Sequence, residues 1–321
     1  MPVFVFIERD DGKIRKSSYE AISYGAKIAG MRKDVVMGVI LGSLEEKDLT
    51  DLGNYGCQKV IHCVDPRLDQ PMIRSYANVL SKLIAEHEPE YFITAQSALA
   101  DPVAAILAVK TGASIATNVT SLPRLENGCR LERGIYTGKA FETVELIADQ
   151  KIISIKKNAC GISEYNFNVD LVRSELEPDP VDLNVRVTGT DKMTGDILLS
   201  EAEIVVSGGR GLKGPENWGM IENLANVLGA AKGCSKPVSD ANWRPHHEHV
   251  GQTGIKVSPD LYVAIGISGA IQHVAGVSSS KYIVVINNDP EAPFFKVADY
   301  GIVGDAFEIV PKLIESIKKY K

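Results

Sequence analysis

Nowhere in these 321 residues does an apolar run approach the roughly 18 needed to span a membrane, so the chain is not expected to cross one. Cysteine is scarce: Cys57, Cys63, Cys129, Cys160 and Cys234 are an odd, scattered set without a C-x-x-C pair. That argues for reduced thiols rather than zinc or a redox dithiol. No Lys/Arg run interleaved with aromatics occurs, and the net charge is −6, which weighs against a protein built to coat nucleic acid. No G-x-G-x-x-G with a following acid sits near the first strand, and no acid–base dyad stands out, which disfavours a stand-alone pyridine-nucleotide oxidoreductase. Internal repeats and low-complexity stretches are absent too.

What is there is ordinary globular material, 45% hydrophobic and 24% charged, in a chain longer than the usual domain of about 100–200 residues. Two domains are expected. The N-terminus turns charged after seven residues and has no basic leader, so a cytoplasmic protein is expected.

Short apolar runs at 3–7, 35–41, 59–64 and 91–95 alternate with helical spacing at 17–29, 72–87 and 102–110. Such alternation predicts a Rossmann-like parallel sheet with helices on it. Further runs at 121–125 and 131–135 flank an Asn-Gly turn at 127 and 128, and with 152–155 and 167–172 they predict added antiparallel strands. A polar, glycine-containing stretch at 189–195 marks the boundary, giving an N-terminal α/β domain at 1–190, a linker at 191–203 and a doubly wound domain at 204–321.

The second domain opens with a strand at 203–206 and a helix at 215–228, and carries strands at 283–286 and 301–303 before a closing helix at 306–318. Its centre is Leu261–Ile265, apolar throughout as in a strand buried on both faces. Gly266, Ser268 and Gly269 follow, then a helix start at 270–275, an arrangement that suits an anion. Upstream, Gln252 and Thr253 sit in a glycine-flanked turn. Each polar motif follows a strand, so all should gather along one sheet edge, where open parallel sheets bind ligands.

Four blocks carry a family resemblance: Val-Gly-Gln-Thr-Gly at 250–254, Gly-Ile-Ser-Gly-Ala-Ile-Gln-His at 266–273, Ile-Asn-Asn-Asp-Pro-Glu-Ala-Pro at 286–293 and Ala-Asp-Tyr-Gly-Ile-Val-Gly-Asp at 298–305. With Ser-Gly-Gly-Arg-Gly at 207–211, their order and spacing closely resemble the alpha subunit of electron-transfer flavoproteins. The resemblance is specific over 203–321 and rests on length and layout before that.

It implies FAD in the second domain. Matching positions place Arg210, Ser235, Lys236, Val250 and Gly251 at the cofactor, together with Gln252 and Thr253. Ser268, Gly269, Ala270, Ile271, Gln272 and His273 match a second contact segment, and Asn287, Asp305 and Ala306 match the adenosine half. Thr253, His273 and Lys236 are the redox-tuning positions it implies: a hydroxyl at flavin N5, a donor or positive charge near C2=O, and a cation over the ring. Lys236 stands where the family usually has arginine, keeping the charge but losing the planar fork. Asn288 replaces a usual lysine.

The implied partner is a beta subunit carrying AMP, or a second FAD in an electron-bifurcating form that oxidises NADH. Implied donors are acyl-CoA or related dehydrogenases, and the implied acceptor is a membrane quinone oxidoreductase. Such a chain carries electrons and has no substrate of its own. Among other readings, His246, His247 and His249 have metal-like spacing but lack further convergent ligands, so they are expected in a solvated loop beside the flavin. Trp243 is expected as a lid or core contact. Cys234, without a paired base, is not expected to be a nucleophile.

Overall fold

The computed structural model describes residues 1–320 apart from 11, 127, 137–139, 186, 189–197 and 200–201. The expected linker and the polar stretch at 189–195 therefore fall mostly outside the described residues, as does the first residue of the expected Asn-Gly turn. The chain divides into two compact units, Met1–Thr190 and Asp191–Lys321.

In the first unit the order is β1 (Val3–Phe6), β2 (Arg9–Asp10), β3 (Lys13–Ile14), α1 (Lys16–Arg32), β4 (Val36–Leu41), α2 (Glu46–Thr50), β5 (Lys59–Cys63), α3 (Ile73–His87) and β6 (Tyr91–Ala95). Then come α4 (Ala100–Thr111), β7 (Ser114–Val119), β8 (Cys129–Ile135), β9 (Ala140–Leu146), β10 (Lys151–Ile155) and β11 (Asp170–Ser174). The main sheet runs β11-β5-β4-β1-β6-β10-β7-β8-β9. The inner strand β1 shows why: Val3 and Val5 join the cluster with Tyr24 and Ile28, while Phe4 and Phe6 join the one with Tyr76 and Leu80. Apolar residues at successive positions need two covered faces, and parallel strands with helices on both sides supply them.

Added antiparallel strands are present at β8 and β9, but the runs at 152–155 and 167–172 do not belong with them. β10 pairs in parallel with both β6 and β7, and β11 pairs in parallel with β5; only β7–β8 and β8–β9 are antiparallel within this sheet. Ile152, Ile153 and Ile155 are fully buried, which a central strand requires and a half-solvated antiparallel one does not. The run at 121–125 forms no strand beyond a bridge from Arg124 to Arg130; the pairing strand lies earlier, at β7.

The second unit has β12 (Ile204–Gly208), α5 (Gly219–Leu228), β13 (Ala231–Cys234), α6 (Lys236–Asp240), β14 (Leu261–Ile265), α7 (Ile271–Val277), β15 (Tyr282–Asn287), β16 (Tyr300–Val303) and α8 (Ala306–Tyr320). The strands are all parallel in the order β13-β12-β14-β15-β16. From β12 the chain moves outward one way to β13 and then crosses back to β14. The sheet thus reverses direction between β12 and β14, and a crevice opens outside their C-terminal ends. β14 is buried on both sides, with Tyr262 and Ala264 in one cluster and Val263 and Ile265 in the other. Among the described residues, no helix is long and apolar enough to cross a membrane.

Candidate functional site

At that crevice the backbones nearly touch. Gly209 N donates to Ile265 O at 2.9 Å and Gly211 N to Gly266 O at 3.0 Å. A Cβ on Gly211 would stand 2.7 Å from Gly266 Cα, and Gly266 has φ +62°, so a side chain at either position would force the two loops apart. Arg210 is exposed between them.

A cleft of about 560 Å³ opens here. From the Arg210 loop and the β13 end it takes Arg210, Gly211, Ser235, Lys236 and Pro237, with Asp240 from α6. The turn after the histidines adds His249, Val250, Gly251, Gln252 and Thr253. Beyond β14 and β15 come Gly266, Ile267, Ser268, Ala270, Gln272, His273, Asn287 and Asp289. Four sequence-derived candidates are not in its lining. Gly269 (φ +83°) lies against Phe294, where an added Cβ would meet backbone at 2.6 Å. Ile271 is exposed on α7. Asp305 accepts from Phe307 N at 2.9 Å at the start of α8 and pairs with Lys213, and Ala306 is buried behind it.

The turn at 250–254 is tied to α7 by Gln252 N to Gln272 O at 2.7 Å and Val257 N to Gly276 O at 2.8 Å. A Cβ on Gly276 would meet Gly251 Cα at 2.5 Å, so this packing needs glycine. Buried Asn287 donates to Ile267 O at 3.0 Å and accepts from Asp289 N at 3.1 Å, stitching the β14 loop to the β15 loop while facing the cleft.

Gln252, Thr253, Ser268, Gln272 and Lys236 are exposed around the mouth, whereas His249 and His273 are buried at 3% and 6% exposure. His273 Nε2 lies 2.8 Å from the Tyr262 hydroxyl. Its imidazole is pushed down to about 4 by burial first and by nearby His249 second, with the Val250 carbonyl working the other way. Burial drives the Tyr262 phenol far above its ordinary value, so it stays protonated. Neither His249 Nδ1 nor His273 Nδ1 finds a hydrogen-bond partner among the described residues. Among the residues lining the cleft, the buried His249 Nδ1 and His273 Nδ1, the latter facing the Val250 carbonyl outside hydrogen-bond geometry, are the kind of polar atoms that a ligand site leaves unsatisfied.

The other candidates sort themselves. His246 and His247 are exposed, but His249 belongs to the cleft rather than to a solvated loop, a difference from the sequence expectation. Trp243 packs at the edge of the cluster containing Trp218 and Leu224. The Cys234 thiol is pushed up to about 12, mainly by burial and then by Glu248, and is not a thiolate at neutral pH. Among the described residues, no group of three or more His, Cys, Asp or Glu could hold a metal. Sequence reasoning missed Asp240, His249 and Asp289 as cleft residues. His249 had a visible signal in its place directly before the Val-Gly-Gln-Thr-Gly turn.

Residues 198–278 match the family model described as electron transfer flavoprotein FAD-binding domain, and residues 3–171 match the electron transfer flavoprotein domain. The chain is 38% identical to the electron transfer flavoprotein subunit alpha of Bacillus subtilis over 318 residues, 99% of this chain and 97% of that one. It is 35% identical to the subunit of that name from Syntrophomonas wolfei over 98% of this chain and 99% of that one. It is also 32% identical to a protein of Anaerotignum propionicum named acryloyl-CoA reductase electron transfer subunit beta, over 99% of this chain and 96% of that one. The similarity spans both units, and the cleft lies largely in the segment matched as FAD-binding: the chain belongs to the electron transfer flavoprotein alpha-subunit family.

Proposed function

We propose that this chain holds one FAD in the 210–289 cleft and works as the alpha subunit of a cytoplasmic heterodimer, with the Met1–Thr190 unit docking a beta subunit. The observation that carries the reading is a pair of buried imidazole nitrogens, without hydrogen-bond partners among the described residues, in a glycine-lined cleft at the sheet's reversal point. Bound there, FAD supplies a reversible store for one or two electrons.

The chain's own residues do the rest. Arg210 and Ser235 take the pyrophosphate, and close approach is allowed by Gly209, Gly211 and Gly266, whose positions admit no side chain. Asn287, in the cleft lining, takes the adenosine end. Thr253 and Lys236 stand at the mouth as hydroxyl and cation for the ring. His273 is neutral at neutral pH; with the Tyr262 phenol donating to Nε2, its ring proton sits on Nδ1 as a donor.

Donors are acyl-CoA or related flavin dehydrogenases, a class supported by the name of the Anaerotignum relative, and the acceptor is a quinone oxidoreductase at the membrane. The test is the absorption spectrum and extracted nucleotide content of this chain purified with its co-expressed beta subunit. One FAD and one AMP per heterodimer is the expected result. Two FAD, with rapid bleaching by NADH, would mean a bifurcating form. No flavin after reconstitution would overturn the reading.

A further inference from the structure

We propose that His249 is a second proton-binding group of the cleft, the one that gains charge when negative charge enters it, while His273 remains a neutral donor. The proposal rests on the FAD reading above. His249 is as buried as His273, lines the same cleft, and has no hydrogen-bond partner at Nδ1 among the described residues. Its ring is held inside the 250–254 turn. A Cβ on Gly254 would stand 2.6 Å from Nδ1, and one on Gly251 would stand 3.3 Å from Nε2. Both glycines of Val-Gly-Gln-Thr-Gly therefore make room for this imidazole as well as for a ligand.

The turn closes on it through Ile255 N to His249 O at 2.8 Å and Gly251 N to Ile255 O at 3.1 Å. From behind, Arg244 grips Glu248 through two nitrogens, at 2.7 and 2.5 Å, and reaches Glu222 at 3.3 Å. His249 is thus fixed in the site.

The charges around it set its response. Facing it are His246, ring to ring at 5.5 Å, Lys236 and Asp240 on α6, and His273 on α7; the adjoining Cys234 thiol is neutral. Burial, then His246 and Lys236, hold the imidazole below its ordinary value against the pull of Asp240, so in a cleft without added charge it is neutral at neutral pH. An added negative charge within about 4–6 Å reverses that balance, since it favours the protonated form. His249 depresses His273, so a proton on His249 keeps His273 neutral. His249, beside Asp240, is the ring that takes the proton. When a flavin dehydrogenase or an electrode delivers one electron to the ligand, a fraction of a proton set by the pH passes from solvent to the His249 ring, and no other bond changes.

The experiment is histidine 13Cε1 NMR titration of the flavin-loaded complex with its beta subunit, oxidised and then electrode-reduced, with proton uptake measured alongside. The expected result is a His249 midpoint about one unit higher on reduction, a roughly tenfold gain in its protonated-to-neutral ratio in the window between the two midpoints. His249→Gln, loaded with FAD and compared per flavin bound, should lose the uptake. An unmoved His249 signal, or the same uptake in His249→Gln, would overturn the proposal. Should that variant fail to fold, the unmutated complex gives the same titration, with the other five histidines assigned by their own variants. A complex that binds no flavin would instead sink the FAD reading beneath it.

Discussion

The two units use the same kind of sheet to opposite ends. Each has a parallel core that reverses direction between two central strands, β1 and β6 in the first unit and β12 and β14 in the second. In the first, Glu8 bridges the strand ends: its buried carboxylate accepts from Arg15 and from Ser97, and Ser97 Oγ in turn accepts from Ala100 N at 2.8 Å to start α4. In the second, the equivalent ends carry glycines, and a cleft lies there. The same topology offers a crevice; side chains decide whether it is filled by an internal ion pair or left for a ligand.

The comparison breaks most directly at Gly266. Gly266→Val forces a β-branched residue to φ +62°, with Cβ 2.9 Å from Gly211 Cα. The backbone conformation alone costs about 1–3 kcal/mol, and the clash adds to it. Bound flavin should be lost and the melting temperature of the second unit should fall; an unchanged ratio of flavin to protein absorbance would refute the role given to the crevice.

Acid should tell the units apart next. His273 titrates at about 4 in the folded chain against an ordinary 6.5, so between those values the unfolded chain binds more protons. Stability then rises with pH. It should be lost as pH falls from 6.5 to 4, by about 3 kcal/mol in all, and His273→Gln should flatten that slope in urea melts followed on the second unit.

Glu8→Ala is the counterpart in the first unit. It removes the acceptor shared by Arg15 and Ser97 and should cost about 1–3 kcal/mol in that unit's denaturant midpoint. Flavin content should not change. The smallest effect is expected at the thiols: burial pushes Cys57 and Cys234 up to about 12 and Cys160 up to about 11. Native protein at pH 8 should show no fast-reacting thiol at these three positions, whereas urea-unfolded protein should label fully.

How far the sequence led differs between elements. Leu261–Ile265 was legible to the residue because five successive apolar side chains suit only a strand covered on both faces. The run at 152–155 carried the same signal, yet its neighbours in sequence are antiparallel and drew it into the wrong pairing. β13, Ala231–Cys234, gave no apolar run because Lys232 and Gly233 interrupt it, although it delivers Ser235 and Lys236 to the cleft. The glycines and hydroxyls of the site were legible as motifs. His249 was not, since burial of an imidazole depends on what wraps around it.

The sequence by itself determined the alternation of strand and helix, the place of the polar strand ends and the family, because periodicity and spacing are local properties. Only the tertiary structure decided which strands are neighbours, that Glu8 fills one crevice while glycines keep the other open, and that two imidazoles share one cleft. Those outcomes depend on contacts between residues far apart in the chain, and on the desolvation that follows when they meet.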